Sequence, residues 1–111
     1  MNLSIAIDSV EGVKVVHIGG ELDVYTAPQL REILTEALEG RDRLVVDLLR
    51  VQFIDSTGLG VLVASQQKAH ASSQDLRLVL DDPYLLKIFR ITGFDGVFSI
   101  FPQVTDAIHN N

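Results

Sequence analysis

The sequence of 111 residues contains no cysteine. Disulfides, thiolate nucleophiles, Cys-ligated metals and a thiol redox switch are therefore all excluded. Basic residues are also scarce, nine against fifteen acids for a formal charge of −6, and no cluster of Lys or Arg marks a phosphate-binding face. The expectation is a protein that does not bind nucleic acid. The opening MNLSIAIDSV has neither the positive leader nor the apolar core of a signal peptide, and no stretch approaches the roughly 18 uninterrupted apolar residues of a membrane span. A soluble cytoplasmic protein without a membrane partner is expected. Nor is there a repeat, a low-complexity tract or a Gly/Ser-rich linker.

What is present suits one compact fold. A chain 47% hydrophobic and 22% charged is too apolar for disorder, and its length accommodates a single domain, 1–111. Leu3, Ile5 and Ile7 alternate with Ser4, Ala6 and Asp8, the pattern of a strand with one buried face. Glu11-Gly12 makes a tight turn into a second strand, Val13 to Ile18, which Gly19-Gly20 ends. After an irregular link, Thr26 and Gln29 stand at capping-box spacing, with Pro28 in the first turn of a helix. Leu30, Ile33, Leu34, Ala37 and Leu38 form its buried stripe, and Gly40 stops it.

Leu44 to Leu49, apolar except for Asp47, reads as a strand covered on both faces, continued by Phe53 and Ile54. The following helix is apolar nearly all round from Leu59 to Ala64 and polar thereafter. Leu76 to Leu80 form another strand, and Asp82-Pro83 caps a helix that runs to Gly93 with Leu85, Leu86, Ile88 and Phe89 inward. Val97, Phe98 and Ile100 supply a last strand, and Val104, Ala107 and Ile108 a closing helix. The predicted order is ββαβαβαβα. After the hairpin, the alternation demands crossover connections, hence an α/β fold with a mixed, mostly parallel sheet. Partner and ligand surfaces on such sheets gather beyond the carboxyl ends of the strands, where both the Asp23 to Thr26 link and the Asp55 to Gly60 turn fall.

The stretch Phe53-Ile54-Asp55-Ser56-Thr57-Gly58-Leu59-Gly60 concentrates the candidate chemistry. A serine hydrolase would require a base beside Ser56, but the Gly-x-Ser-x-Gly elbow is absent and His17, His70 and His109 are scattered. No His and carboxylate group shows metal-ligand spacing, and no cofactor is expected. Gly58-Leu59-Gly60 is neither a dinucleotide fingerprint nor a Walker loop; both glycines are explained by close packing of a helix start on the sheet. Two readings of Ser56 remain from the residues alone. It caps the helix, a position Asp55 could fill instead, or it is a hydroxyl whose phosphorylation places about −1.5 to −2 charge at a helix N-terminus that tolerates it.

Three segments carry a family resemblance: Gly20-Glu21-Leu22-Asp23-Val24-Tyr25-Thr26-Ala27-Pro28, the Phe53 to Gly60 turn, and Ile88-Phe89-Arg90-Ile91-Thr92-Gly93. Together they resemble the STAS-domain anti-sigma factor antagonists of bacteria over nearly the full chain. The resemblance implies a non-enzymatic partner-switching protein. Unphosphorylated, it binds an anti-sigma factor that is itself a serine kinase and so releases the sigma factor. Phosphorylation of the serine after the Asp of Asp-Ser-Thr-Gly, here Ser56, breaks the complex, and a serine phosphatase restores it. The implied partner surface comprises Asp23, Asp55, Ser56, Thr57, Gly58, Leu59 and Gly60, with Thr57 the rival acceptor. The alternative is a STAS interaction module in a sensory scaffold or a lipid-transport ATPase complex.

Overall fold

The computed structural model describes residues 2–110; Met1 and Asn111, the ends of the expected 1–111 domain, lie outside the described residues. The elements are β1 (Leu3–Val10), β2 (Val13–Leu22), α1 (Ala27–Leu38), β3 (Arg43–Ile54), α2 (Ser56–Ala71), β4 (Asp75–Val79), α3 (Pro83–Thr92), a 3-10 turn (Phe94–Gly96), β5 (Ser99–Phe101) and α4 (Val104–His109). Their order is the expected ββαβαβαβα. The sheet has five strands in the spatial order β1-β2-β3-β4-β5. Only β1 and β2 are antiparallel; β2 with β3, β3 with β4 and β4 with β5 are parallel. Each parallel step needs a crossover, and the helices between the strands provide it.

The strand β3 lies at the centre of the sheet and is buried on both faces from Leu44 to Leu48. One face, with Leu44, Val46 and Leu48, packs under Leu30 and Leu34 of α1, Leu62 of α2, and Leu85 and Phe89 of α3. Phe89 meets Phe98 edge-to-face at 5.6 Å between ring centroids. The other face carries a smaller cluster, Val15, Val45 and Val79, beneath Ala107 and Ile108 of α4. Six residues are too few to hold a helix by themselves, and cations from the sheet tether its last turn. Arg77 Nη1 donates to Ala107 O at 2.9 Å and also to Asn110 O, while Arg43 Nη1 donates to Ile108 O at 3.1 Å.

Several local expectations differ from the structure. The strand β2 does not stop at Gly19-Gly20 but runs to Leu22, because two register shifts against β3 let the pairing continue. Gly20 makes this feasible, with φ at +100° and a carbonyl of Asn2 only 2.0 Å from where a Cβ would stand. Ile7 is 58% exposed rather than buried, since β1 is an edge strand. Ala64 is exposed, so α2 has an outer face even in its apolar half. Finally β5 begins at Ser99, so Val97 and Phe98 both lie outside it, Val97 exposed after the 3-10 turn and Phe98 buried.

Candidate functional site

The strands β2 and β3 end side by side, with Leu22 paired to Ile54. The chain then turns twice at the same place. Asp55 N–H donates to Leu22 O at 3.0 Å, which ties the start of α2 to the end of β2. Gly58 completes the contact: a Cβ there would stand 2.3 Å from Leu22 O, so only glycine lets the helix come this close. The close-packing expectation therefore holds at Gly58. It fails at Gly60, which faces outward, where a Cβ would find nothing within 4 Å.

The capping question is settled by distances. Asp55 is the N-cap, its Oδ1 accepting from Thr57 N–H at 2.9 Å and Gly58 N–H at 3.0 Å. Ser56 is the first residue of the helix and is exposed, and its side chain makes no hydrogen bond among the described residues. Its hydroxyl is thus available, at the end of a helix where a negative charge is favoured. Thr57 is exposed beside it.

The link before α1 is organised by Asp23. Its Oδ1 accepts from Tyr25 N–H at 2.9 Å and Thr26 N–H at 3.0 Å. The expected capping box at Thr26 and Gln29 does not form: Thr26 already has helical backbone angles and makes no side-chain cap. Its hydroxyl instead donates to Glu21 O at 2.7 Å and accepts from Asp23 N–H at 3.0 Å. Burial pushes the Asp23 carboxyl up, but the backbone N–H groups of Thr26 and Tyr25 outweigh it and hold its pKa below the ordinary 3.8. The clamp turns the two intervening side chains outward. Tyr25 is 73% exposed and Val24 56%.

Of the expected site residues, the structure brings Asp23, Asp55, Ser56, Thr57, Gly58, Leu59 and Gly60 to one end of the sheet. Ser56, Thr57 and Gly60 are exposed and Asp55 is half-buried, whereas Asp23, Gly58 and Leu59 are buried. Sequence reasoning missed the exposed apolar rim, Val24, Tyr25 and Phe53. The available signal was an aromatic and a β-branched residue inside a link that falls beyond the strand ends. The turns after β2, β3 and β4 add Asp81 and Asp82 to the acids there and contain no Lys or Arg between Leu22 and Gln29, Ile54 and Gly60, or Leu80 and Leu86.

None of the histidines serves Ser56. His17 Nδ1 lies 2.6 Å from Asp47 Oδ2 in the middle of the sheet, and His109 Nε2 lies 2.6 Å from Glu11 Oε2 at the hairpin turn. His70 is in the last turn of α2, about 20 Å from Ser56 at 1.5 Å of rise per residue. The hydrolase reading has no base. Among the described residues, no group of three His, Asp or Glu could hold a metal ion, and no helix is long and apolar enough to cross a membrane.

The chain is similar to known proteins in both sequence and fold. The chain is 36% identical over 100 residues to the anti-sigma-B factor antagonist of Bacillus subtilis, covering 90% of this chain and 92% of that one. It is 34% identical over 101 residues to the anti-sigma-B factor antagonist of Staphylococcus aureus, covering 90% and 94%. The crystal structure of an anti-sigma factor antagonist from Mycobacterium paratuberculosis superposes with a TM-score of 0.87 at 30% identity, covering 96% of this chain and 92% of that one. The family model of the STAS domain matches residues 4–107. The chain belongs to the STAS domain family.

Proposed function

We propose that this protein is a cytoplasmic anti-sigma factor antagonist whose grip on its partner is switched at Ser56, in a single domain spanning 1–111. The relatives named as anti-sigma factor antagonists support the general role. One observation carries the switch: an exposed Ser56 hydroxyl, unused by the fold, at the start of α2 where Asp55 already caps the helix. Phosphate can be added without removing any cap. It then meets acids and no cation on the surrounding turns, so its charge stays directed at whatever docks there.

In this reading the unphosphorylated surface binds an anti-sigma factor with serine-kinase activity. Ser56, Thr57 and Gly60 touch the partner, Gly60 by letting its backbone approach. Asp23, Asp55, Gly58 and Leu59 shape the turns, and Val24, Tyr25 and Phe53 supply apolar contact of the type that dominates interface energetics. The kinase transfers phosphate to Ser56, an unpaired charge enters the interface, and the partner leaves. A serine phosphatase reverses the step. Incubation with the anti-sigma kinase and ATP followed by mass spectrometry tests this. One phosphate on Ser56, absent from Ser56→Ala, is expected; modification of Ser56→Ala to the same extent contradicts it.

A further inference from the structure

The open edge of the sheet carries a second surface. Asn2 O accepts from Glu21 N–H at 2.9 Å, so Asn2 turns its backbone groups toward β2. The N–H and C=O of one residue point to the same side of a strand and alternate along it. Ser4, Ala6, Asp8 and Val10 therefore face β2, which agrees with Val10 pairing to Val13 across the two-residue turn. Leu3, Ile5, Ile7 and Ser9 direct their N–H and C=O groups to the open edge. Exposed edges of this length are normally blunted by Lys, Pro or a bulge. The strand β1 has eight residues in unbroken register, without Lys or Pro, and the exposed Ile7 stands on it.

We propose that β1 pairs antiparallel with β1 of a second copy of this chain, about a two-fold axis at Ala6, to give one continuous sheet. The pattern of the strand selects this register. Hydrogen bonds require edge-facing residues opposite edge-facing residues, which any one-residue slip of the partner strand destroys. With the axis at Ala6, Ile5 stands opposite Ile7 of the second copy and exchanges both backbone hydrogen bonds with it. On the other face of the sheet Ala6 meets Ala6, and Asp8 meets Ser4. The strand is thus complementary to itself, apolar against apolar and carboxylate against hydroxyl, with no two carboxylates opposed. Moving the axis to Ile7 keeps the bonding pattern but places Asp8 against Ala6 and leaves three edge-facing pairs within the strand in place of four. Asp8 Oδ1 accepts from Ser9 N–H at 2.8 Å, so the Ile5 and Ile7 bonds carry the centre of the ladder. The two Ser56 turns then point to opposite ends of the joined sheet, both open to partners.

Sedimentation across a concentration series is the test. The native chain is expected to double in mass as concentration rises. Ile7→Pro removes an N–H that β2 does not use, and is expected to stay at the mass of one chain with an unchanged circular dichroism spectrum. The absence of native cysteine allows a second measurement. Ala6 positions related by the axis form a non-hydrogen-bonded pair with Cα atoms about 4.5 Å apart, within disulfide range. Ala6→Cys is expected to give oxidised dimers, whereas Ser72→Cys, exposed after α2, is not. A native chain that keeps the mass of one chain throughout, a dimer that persists in folded Ile7→Pro, or equal cross-linking of Ala6→Cys and Ser72→Cys overturns the proposal. Should Ile7→Pro fail to fold, the cross-linking comparison decides.

Discussion

Two glycines that look alike in Gly58-Leu59-Gly60 perform different tasks. Gly58 permits α2 to touch the end of β2, and a methyl group there would collide with the Leu22 carbonyl at 2.3 Å. Backbone cannot step aside cheaply, so Gly58→Ala is expected to destabilise the fold by about 1–3 kcal/mol. Gly60 has open space and lies inside a helix, where Ala is favoured by roughly 0.5–1 kcal/mol. Gly60→Ala is expected to raise the denaturation midpoint. Urea unfolding of both variants measures this pair of opposite signs. Asp23 gives a prediction in pH. Its folded pKa is depressed, so the ionised form stabilises the fold above the unfolded value and that contribution is lost as pH falls below about 3.8. An Asp23→Asn chain is expected to lose less stability than the native chain over that acid range, as followed by thermal melts at a series of pH values.

The helices show which sequence signals determine an element and which only resemble a signal. The Asp82-Pro83 start formed as expected, with Asp82 Oδ1 accepting from Tyr84 N–H at 2.8 Å. Thr26-x-x-Gln29 has the same spacing as a capping box, yet Asp23 three residues earlier holds the amides of Tyr25 and Thr26 and leaves the hydroxyl to Glu21. Local spacing cannot show which of two acceptors a tertiary arrangement will favour. Asp55 is the cap that matters for the site, and Asp55→Ala is expected to cost about 1 kcal/mol of stability. For α4, dependence on Arg77 predicts that Arg77→Met leaves α1, α2 and α3 protected while the amides of residues 104–109 exchange faster, as read by hydrogen exchange.

At the scale of the whole molecule, the alternation of strand and helix was legible because hydrophobic periodicity, prolines and capping acids all pointed the same way. The sheet edges were not. Ile7 fits a buried stripe in sequence, and only the spatial order of the strands shows that nothing covers it. The exposure of Val24 and Tyr25 likewise rests on the hydrogen bonds that Asp23 makes in the fold, and Phe53 is exposed near the end of β3. The meeting of the two turns at Leu22 joins fold to proposed function: a capped helix start, an apolar rim, and the unengaged Ser56 hydroxyl between them. The most direct test is the affinity of the anti-sigma factor for the Ser56 series, measured by calorimetry. Ser56→Ala is expected to bind and stay bound in the presence of ATP, and Ser56→Glu to bind at least roughly tenfold more weakly, about 1.4 kcal/mol. Equal affinities for the two variants would contradict a charge switch at Ser56.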